Sequence, residues 1–134
     1  ADFRDAGAEV LGVSIDSQFS HLAWTNQSRK QGGLGKIDYP LVSDLTKNIS
    51  RDYGVLLEDK GIAARGTFII DGDGIVQNAS VQGLNVGRNV DEILRLLLAY
   101  QHNATTGHVC PMGWAKDKDD IDPAKAPEFF EKNG

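Results

Sequence analysis

Cys110 is the only cysteine in the 134-residue chain, and Pro111 follows it directly. A single thiol cannot form a disulfide within its own chain, so a redox partner belongs to another molecule, another subunit or a part of the protein outside these residues. Proline removes a backbone donor and biases the residue before it toward extended backbone, which places the thiol on a loop or tail. The flanking segments 105–108 and 116–120 are polar. We therefore expect a thiol with a chemical role rather than a small buried core residue.

The other reactive side chains do not indicate metal or hydrolytic chemistry. His21, His102 and His108 have neither the spacing of metal ligands nor that of a Cys-His dyad. The acidic residues within 117–122 lack the glycine and terminal glutamate of a calcium loop and indicate a solvated tail. A thioredoxin-type disulfide reductase is excluded because it needs a Cys-x-x-Cys pair. We expect no metal and no organic cofactor.

The elements that must position these residues alternate between strand and helix. Residues 8–15 form a short apolar run typical of a buried strand, and Asp16 or Ser17 then caps a helix that extends to about Arg29. Phe19, Leu22 and Ala23 share one face of that helix. A glycine-rich loop at 31–38 and helical character at 46–53 are expected next.

The second half of the chain carries clearer signals. Residues 71–74 are a turn signal between two short apolar runs, which predicts a hairpin. Residues 89–102 have apolar side chains at i, i+3 and i+4 and acids in the first turn, which predicts a helix. Beyond His102 the chain becomes polar and contains three prolines, so we expect an extended tail, with a short helix starting at Pro123.

Length and charge limit the possible functions of the chain. A chain of 134 residues with 40% hydrophobic and 25% charged residues buries one core. The net charge of −5 disfavours nucleic acid and anionic membranes as partners. No apolar run approaches the roughly 20 residues of a membrane helix. One cysteine without a pairing framework, and no signal peptide at the start, lead us to expect a cytoplasmic protein.

Residues 107–114 resemble the resolving-cysteine motif of the typical 2-Cys peroxiredoxins, the AhpC/Prx1 class of thiol peroxidases. The resemblance covers essentially the whole chain, through ordered matches at 13–17, 21–24, 32–35, 39–44, 49–56, 65–71 and 86–92. It implies an α/β, thioredoxin-like sandwich, incomplete at its N-terminus, whereas periodicity alone supports only α/β or α+β. We expect that domain over residues 1–103 and a C-terminal arm over residues 104–134 that carries the resolving cysteine and the terminal helix.

The resemblance also implies roles for individual residues. Cys110 matches the resolving cysteine, which condenses with a sulfenic acid on the partner subunit of an antiparallel homodimer, with rings of dimers as a further option. Arg65 matches the family arginine that stabilises both thiolate and peroxide, and a surface ion pair is the alternative interpretation. Arg88 matches a second family arginine near that pocket. Its alternative is a helix-start residue paired with Asp91 or Glu92.

The implied activity is reduction of hydrogen peroxide and organic hydroperoxides, followed by reduction of the disulfide by thioredoxin or an AhpF-type flavoprotein reductase. The family's peroxidatic cysteine, in a Pro-x-x-x-Thr-x-x-Cys stretch, is not among these residues. We therefore expect a truncated chain or an upstream segment outside the sequence, and a 134-residue chain that is inactive and poorly folded alone. A non-catalytic scaffold or chaperone-like assembly subunit is the alternative function.

Two segments depart from the family pattern. Phe129 and Phe130 stand where many members have Tyr-Phe, so a tyrosine hydroxyl bond is lost. In the family, this pair and the Gly-Gly-Leu-Gly loop (residues 32–35 here) together cover the active site and prolong exposure to overoxidation. Residues 82–87 replace the usual Asn-Asp-Leu-Pro-x-Gly, and exchanging proline for more flexible residues loosens this loop.

Overall fold

The structure is a computed structural model and describes residues 2–134. The described chain forms two compact units. The first extends to Phe68 and includes Asn78–Arg88, and the second comprises Ile69–Gln77 and Asn89–Gly134. The domain boundary expected between residues 103 and 104 stays a prediction.

The first unit contains short helices, two complete pairs of short strands and part of a third pair. Strand β1 pairs with β2 in parallel, from Gly12 opposite Leu41 to Ser14 opposite Ser43, and β3 pairs with β4 in antiparallel. Its elements, in chain order, are α1 (Asp2–Asp5), β1 (Gly12–Ser14), α2 (Gln18–Asn26), a 3₁₀ turn (Arg29–Gln31), β2 (Leu41–Ser43), α3 (Asn48–Asp52), β3 (Leu56–Leu57), β4 (Ile62–Ala63) and parts of β5 (Arg65–Ile70) and β6 (Val76–Gln82).

Helix α2 begins as predicted but ends early. The Ser17 side chain accepts a hydrogen bond from the backbone N–H of Ser20 at 3.2 Å, which is the expected N-cap. Gln27 is extended, so the helix stops at Asn26 rather than near Arg29. Phe19 and Leu22 lie on the exposed side. The buried residue of this helix is His21, whose Nε2 lies 2.6 Å from Ser14 Oγ.

The glycine-rich loop after α2 folds back onto the end of that helix. The N–H of Leu34 donates to the carbonyl of Trp24 at 2.8 Å, and that of Gly35 to the carbonyl of Gln27 at 2.9 Å. A Cβ on Gly33 would lie 2.2 Å from the Gln27 carbonyl oxygen, so this close approach requires glycine.

Asp44 organises the start of α3. Its side chain is buried, and its carboxylate accepts from the N–H of Ile49 at 3.0 Å and from both the N–H and the hydroxyl of Ser50 at 2.7 Å. Burial alone raises the pKa of Asp44, but the Ser50 and Ile49 hydrogen bonds and the Arg51 charge outweigh it, so the pKa lies below its ordinary value.

Strands β5 and β6 form the predicted hairpin. In the turn, Asp71 Oδ1 accepts from the N–H groups of Asp73 and Ile75, each at 2.9 Å. Its Oδ2 accepts from the Gln77 side chain at 2.7 Å. The Asp71 carboxylate therefore satisfies the turn's own donors, which explains why the Asp-Gly-Asp-Gly segment closes here.

The second unit is built on α4 (Val90–Thr106). Asn89 caps it by accepting from the N–H of Glu92 at 3.1 Å, and Gly107 ends it in the left-handed conformation at φ 73°. The helix is one turn longer than predicted, and in that last turn the Thr105 and Thr106 hydroxyls donate to carbonyls four residues back. No helix in the described part of the chain is both long and apolar enough to cross a membrane.

Residues 107–134 are more ordered than the expected extended tail. Val109 and Ile121 form an antiparallel bridge with hydrogen bonds of 2.9 Å in both directions. A 3₁₀ turn (Pro123–Lys125) then leads into α5 (Ala126–Asn133), which carries Phe129 and Phe130 as predicted. The bridge closes the segment that contains Cys110 into a loop.

Candidate active site

Arg65 and Arg88 connect the same two segments in opposite directions. Arg65, at the start of β5, donates from Nε to the carbonyl of Leu84 in the loop after β6, at 2.8 Å. Arg88, at the end of that loop, donates back to the Thr67 hydroxyl and to the Gly66 carbonyl, each at 2.9 Å. The two predicted site arginines are thus brought together by reciprocal hydrogen bonds.

Both guanidinium groups keep donors available. The side chains are exposed, and within residues 2–134 the terminal nitrogens of Arg65 have no hydrogen-bond partner. Because its Nε is already bound, the plane of the Arg65 guanidinium is fixed while its terminal N–H groups remain open. A guanidinium held this way can stabilise a thiolate or donate to a peroxide oxygen.

Gly66 lets the strand between the two arginines lie close to its neighbours. A Cβ there would stand 2.8 Å from the Phe68 ring and 2.9 Å from the Val55 side chain. Phe68 in turn packs edge-on against Tyr53, with ring centroids 4.7 Å apart. Apolar packing behind the strand therefore fixes the backbone from which Arg65 extends.

Cys110 belongs to the second unit and is half-buried. Its thiol donates to the carbonyl of Ala99 on α4, with sulfur and oxygen 3.6 Å apart. Burial raises the pKa of the Cys110 thiol, the Asp120 carboxylate raises it further, and Arg95 acts in the opposite direction. The thiol is therefore held in its neutral form, which disfavours it as the attacking thiolate of the first oxidation.

Two histidines and one carboxylate lie beside Cys110. His102 Nε2 on α4 and Asp120 Oδ2 are 2.5 Å apart and form a hydrogen bond. His108 Nδ1 lies 3.1 Å from the same oxygen but outside hydrogen-bond geometry, so that contact is electrostatic. The His102 bond lowers the pKa of Asp120, and the effect of burial does not reverse it. We call these three residues the Asp120 cluster.

Arg95 and Trp114 attach the same segment to α4. Arg95 forms a two-point ion pair with Glu92, at 2.6 and 2.7 Å, and donates to the Trp114 carbonyl at 2.8 Å. Trp114 is only 2% exposed, and its indole ring lies against the His102 ring at a centroid distance of 4.9 Å. The loop that carries the thiol is therefore packed, not solvated.

The solvated tail expected for the acidic residues is wrong for Asp120 and Asp122, which are half-buried, whereas Asp117 and Asp119 are exposed. Asp119 pairs with Lys132 on α5, and Asp122 accepts from the N–H of Ala124 at 2.9 Å and caps the 3₁₀ turn. Asp120 is bound as described above. In the described part of the chain, no group of three or more His, Cys, Asp or Glu residues could hold a metal ion.

Comparison with known proteins identifies the family. Residues 1–79 match the AhpC/TSA family. Peroxiredoxin-2 from Macaca fascicularis is 54% identical over 98% of this chain and 68% of its own length. The mitochondrial thioredoxin-dependent peroxide reductase from Homo sapiens is 54% identical over 98% of this chain and 52% of its own. The reduced 2-Cys peroxiredoxin of Plasmodium vivax matches with a TM-score of 0.91 and 42% identity, over 97% of this chain and 68% of that one.

The chain belongs to the AhpC/TSA family and is a 2-Cys peroxiredoxin with a thioredoxin-like fold. The predicted family and fold class are therefore confirmed.

The expected cytoplasmic location is wrong. It is contradicted by similar proteins that are named as mitochondrial, two thioredoxin-dependent peroxide reductases and one 2-Cys peroxiredoxin of solved structure. A lone unpaired cysteine indicates only that a compartment is reducing, so it could not distinguish one reducing compartment from another.

Proposed function

We propose that Cys110 is the resolving cysteine of a thioredoxin-dependent peroxidase that reduces hydrogen peroxide and organic hydroperoxides. The observation that carries this proposal is the neutral, half-buried Cys110 thiol, held on α4 within a 2-Cys peroxiredoxin. Such a thiol is poorly suited to attack peroxide but can react once its segment is released. The partner sulfur comes from another subunit or from a part of the protein outside these residues.

The chemistry has two oxidation steps. A peroxidatic thiolate attacks the peroxide, so that the O–O bond breaks, a sulfenic acid forms and an alcohol or water leaves after taking a proton. The Cys110 sulfur then attacks the sulfenic sulfur, the S–O bond breaks, and hydroxide leaves as water with the thiol proton. An intersubunit disulfide results. A reduced dithiol partner restores both thiols by exchange and becomes a disulfide itself.

Arg65 is proposed to act at the peroxidatic centre and Arg88 to support it. Arg65 has a fixed guanidinium with open terminal N–H groups, which suits a developing negative charge on sulfur and oxygen. Two nitrogens of Arg88 donate hydrogen bonds to Thr67 and Gly66, so its main effect is on the position of the strand that carries Arg65.

The proposed partners are a second copy of the chain and a thioredoxin-type reductant. Relatives are named as thioredoxin-dependent peroxide reductases, and one related structure, modified at its N-terminus, is described as an artifactual octamer. The finer arrangement proposed here is an antiparallel homodimer, alone or in a ring, with thioredoxin or an AhpF-type flavoprotein as reductant. The scaffold or chaperone-like alternative is not favoured, because the relatives are named as peroxide reductases.

The test compares Cys110→Ser with the wild type in the natural full-length protein. We expect the first oxidation by hydrogen peroxide, followed by stopped-flow fluorescence, to keep its rate. The covalent dimer on non-reducing gels should disappear, and thioredoxin-dependent turnover should stop. A covalent dimer that persists in the variant would assign the resolving role to another residue.

A further inference from the structure

The Asp120 cluster joins the loop that carries Cys110 to helix α4. One oxygen of Asp120 receives the His102 hydrogen bond from α4 and lies 3.1 Å from His108, two residues before the cysteine. Asp120 itself precedes Ile121, which is bridged to Val109. The Asp120 side chain therefore contacts helix α4, while its chain neighbour Ile121 is paired with the residue just before Cys110.

The side chains of this cluster are mostly enclosed. The exposed fractions are 30% for His102, 34% for His108 and 25% for Asp120. The Nδ1 atom of His108 is buried and lies 3.1 Å from Asp120 Oδ2. Partial burial makes these contacts less screened than those of a fully exposed ion pair.

Other charged groups surround the cluster without replacing its contacts. On the α4 side, Arg95 forms an ion pair with Glu92 and donates a hydrogen bond to the Trp114 carbonyl. Asp119 is paired with Lys132. The groove on the remaining side adds the charged residues Lys118, Asp122, Lys125 and Glu128.

We propose that Asp120 is a positioning residue that holds the Cys110 loop on α4 and thereby limits the rate at which Cys110 resolves a sulfenic acid. This inference rests on the proposed resolving role of Cys110. For the S–S bond to form, the Cys110 sulfur must leave the Ala99 carbonyl, and the Asp120 cluster opposes that movement.

The histidines make this restraint depend on pH. A neutral imidazole can already donate one N–H to the carboxylate, and protonation turns the same contact into a charge-assisted one, which is stronger. Histidine is the side chain that changes charge between pH 5 and 8. The Asp120 carboxylate, whose pKa is lowered, remains ionised there, so a protonated imidazole beside it would hold the loop more tightly than a neutral one.

The first test substitutes Asp120→Asn in the full-length protein, with Asp119→Asn as the matched control. Asn keeps the size of the side chain but loses the charge that attracts both imidazoles. The same charge raises the pKa of the Cys110 thiol, so the rates are compared at equal thiolate fractions, taken from the pH dependence of Cys110 alkylation in each protein. We expect disulfide formation, measured as the second stopped-flow phase after a peroxide pulse, to accelerate about tenfold in Asp120→Asn. Asp119→Asn removes a neighbouring exposed ion pair and should keep the wild-type rate.

The pH profile separates positioning from a general loss of structure. The ratio of the Asp120→Asn rate to the wild-type rate should rise as the pH falls from 8 to 6, because only the wild type gains the imidazolium–carboxylate attraction. A double variant, His102→Gln with His108→Asn, keeps neutral N–H donors at both positions. The ratio of the Asp120→Asn rate to the rate of this double variant should therefore stay constant from pH 8 to 6, because neither protein can form an imidazolium–carboxylate pair in the cluster.

The outcomes are distinct from a failure of the proposed function. If the wild type forms no disulfide through Cys110, the resolving role itself is wrong. If that disulfide forms but Asp120→Asn and Asp119→Asn resolve at equal rates, or the Asp120→Asn ratio stays constant from pH 8 to 6, the positioning role of Asp120 is overturned. Circular dichroism melts of each variant confirm that the rates refer to folded protein.

Discussion

Arg88 donates a hydrogen bond from Nε to the hydroxyl of Thr67 at 2.9 Å, across a separation of 21 residues. The same guanidinium reaches the Gly66 carbonyl, so Arg88 is bound to the strand that begins with Arg65. Arg65 returns a bond to Leu84 in the loop that ends at Arg88. Neither arginine is positioned independently, and this coupling governs what their variants should do.

Arg65→Met should slow peroxide reduction far more than Arg88→Met. Losing one preorganised donor at a developing charge typically costs about 3–4 kcal/mol, or about 10²–10³ in rate. Methionine keeps an apolar stem but cannot donate. The measurement is the second-order rate constant for hydrogen peroxide in both full-length variants, with thermal melts. A small effect at Arg65 with an unchanged melt would show that the family role does not belong to this residue.

Thr67→Val should reveal how much the Arg88–Thr67 hydrogen bond contributes to the stability of the protein. Valine has nearly the shape of threonine but no acceptor, so Arg88 keeps only the Gly66 carbonyl. We expect a loss of about 0.5–1 kcal/mol in the free energy of unfolding, since the pair is exposed. Peroxide reduction should fall only modestly. Urea unfolding gives the free energies of unfolding for Thr67→Val, Arg88→Met and the double variant. A double variant that loses less than the sum of the two single losses would confirm the bond between the two residues, whereas strictly additive losses would contradict it.

Local patterns in the sequence predicted the regular elements well. The apolar spacing after Asn89 gave α4, and the turn at residues 71–74 gave the β5–β6 hairpin, because both depend on contacts within a few residues. The ends of elements were less accurate: α2 stopped at Asn26, where Gln27 becomes extended, instead of continuing to Arg29.

The contacts that define the candidate site depend on distant pairs. Arg65 meets Leu84 across 19 residues, and His102 meets Asp120 across 18. Local patterns carry no information on such distant pairs, which is why the sequence predicts a solvated acidic segment and assigns no role to His102 or His108. The Val109–Ile121 bridge is the feature that brings them together. The family resemblance located Cys110 and both arginines, but not the groups that hold Cys110.

Asp44→Asn should destabilise the protein, and its effect should depend on pH. The folded pKa of Asp44 lies below its ordinary, unfolded value, so the carboxylate contributes stability above the unfolded pKa. That contribution is lost as the pH falls through the folded pKa. Asparagine also turns an amide N–H₂ toward donors on Ile49 and Ser50. We expect a lower melting temperature at pH 7 and a smaller difference from the wild type near pH 3.

The exposed carboxylate Asp59 is the control for this effect. Asp59→Asn should leave the melting temperature nearly unchanged at both pH values, because surface substitutions away from specific contacts have small effects. A difference between Asp44→Asn and the wild type that stays constant from pH 7 to pH 3 would contradict the role of the ionised Asp44.

Gly33→Ala should destabilise the loop that folds back on α2, whereas Gly83→Ala should not. A Cβ at Gly33 would lie 2.2 Å from the Gln27 carbonyl oxygen and 2.5 Å from its Cβ, so backbone must move. Such overpacking typically costs about 1–3 kcal/mol. A Cβ at Gly83 meets nothing within 4 Å, and there alanine lowers the entropy of the unfolded chain, with a gain of up to about 1 kcal/mol. Urea unfolding of both full-length variants gives the comparison. Equal stabilities would mean that the loop does not pack against Gln27 as described, since only Gly33 has that close contact.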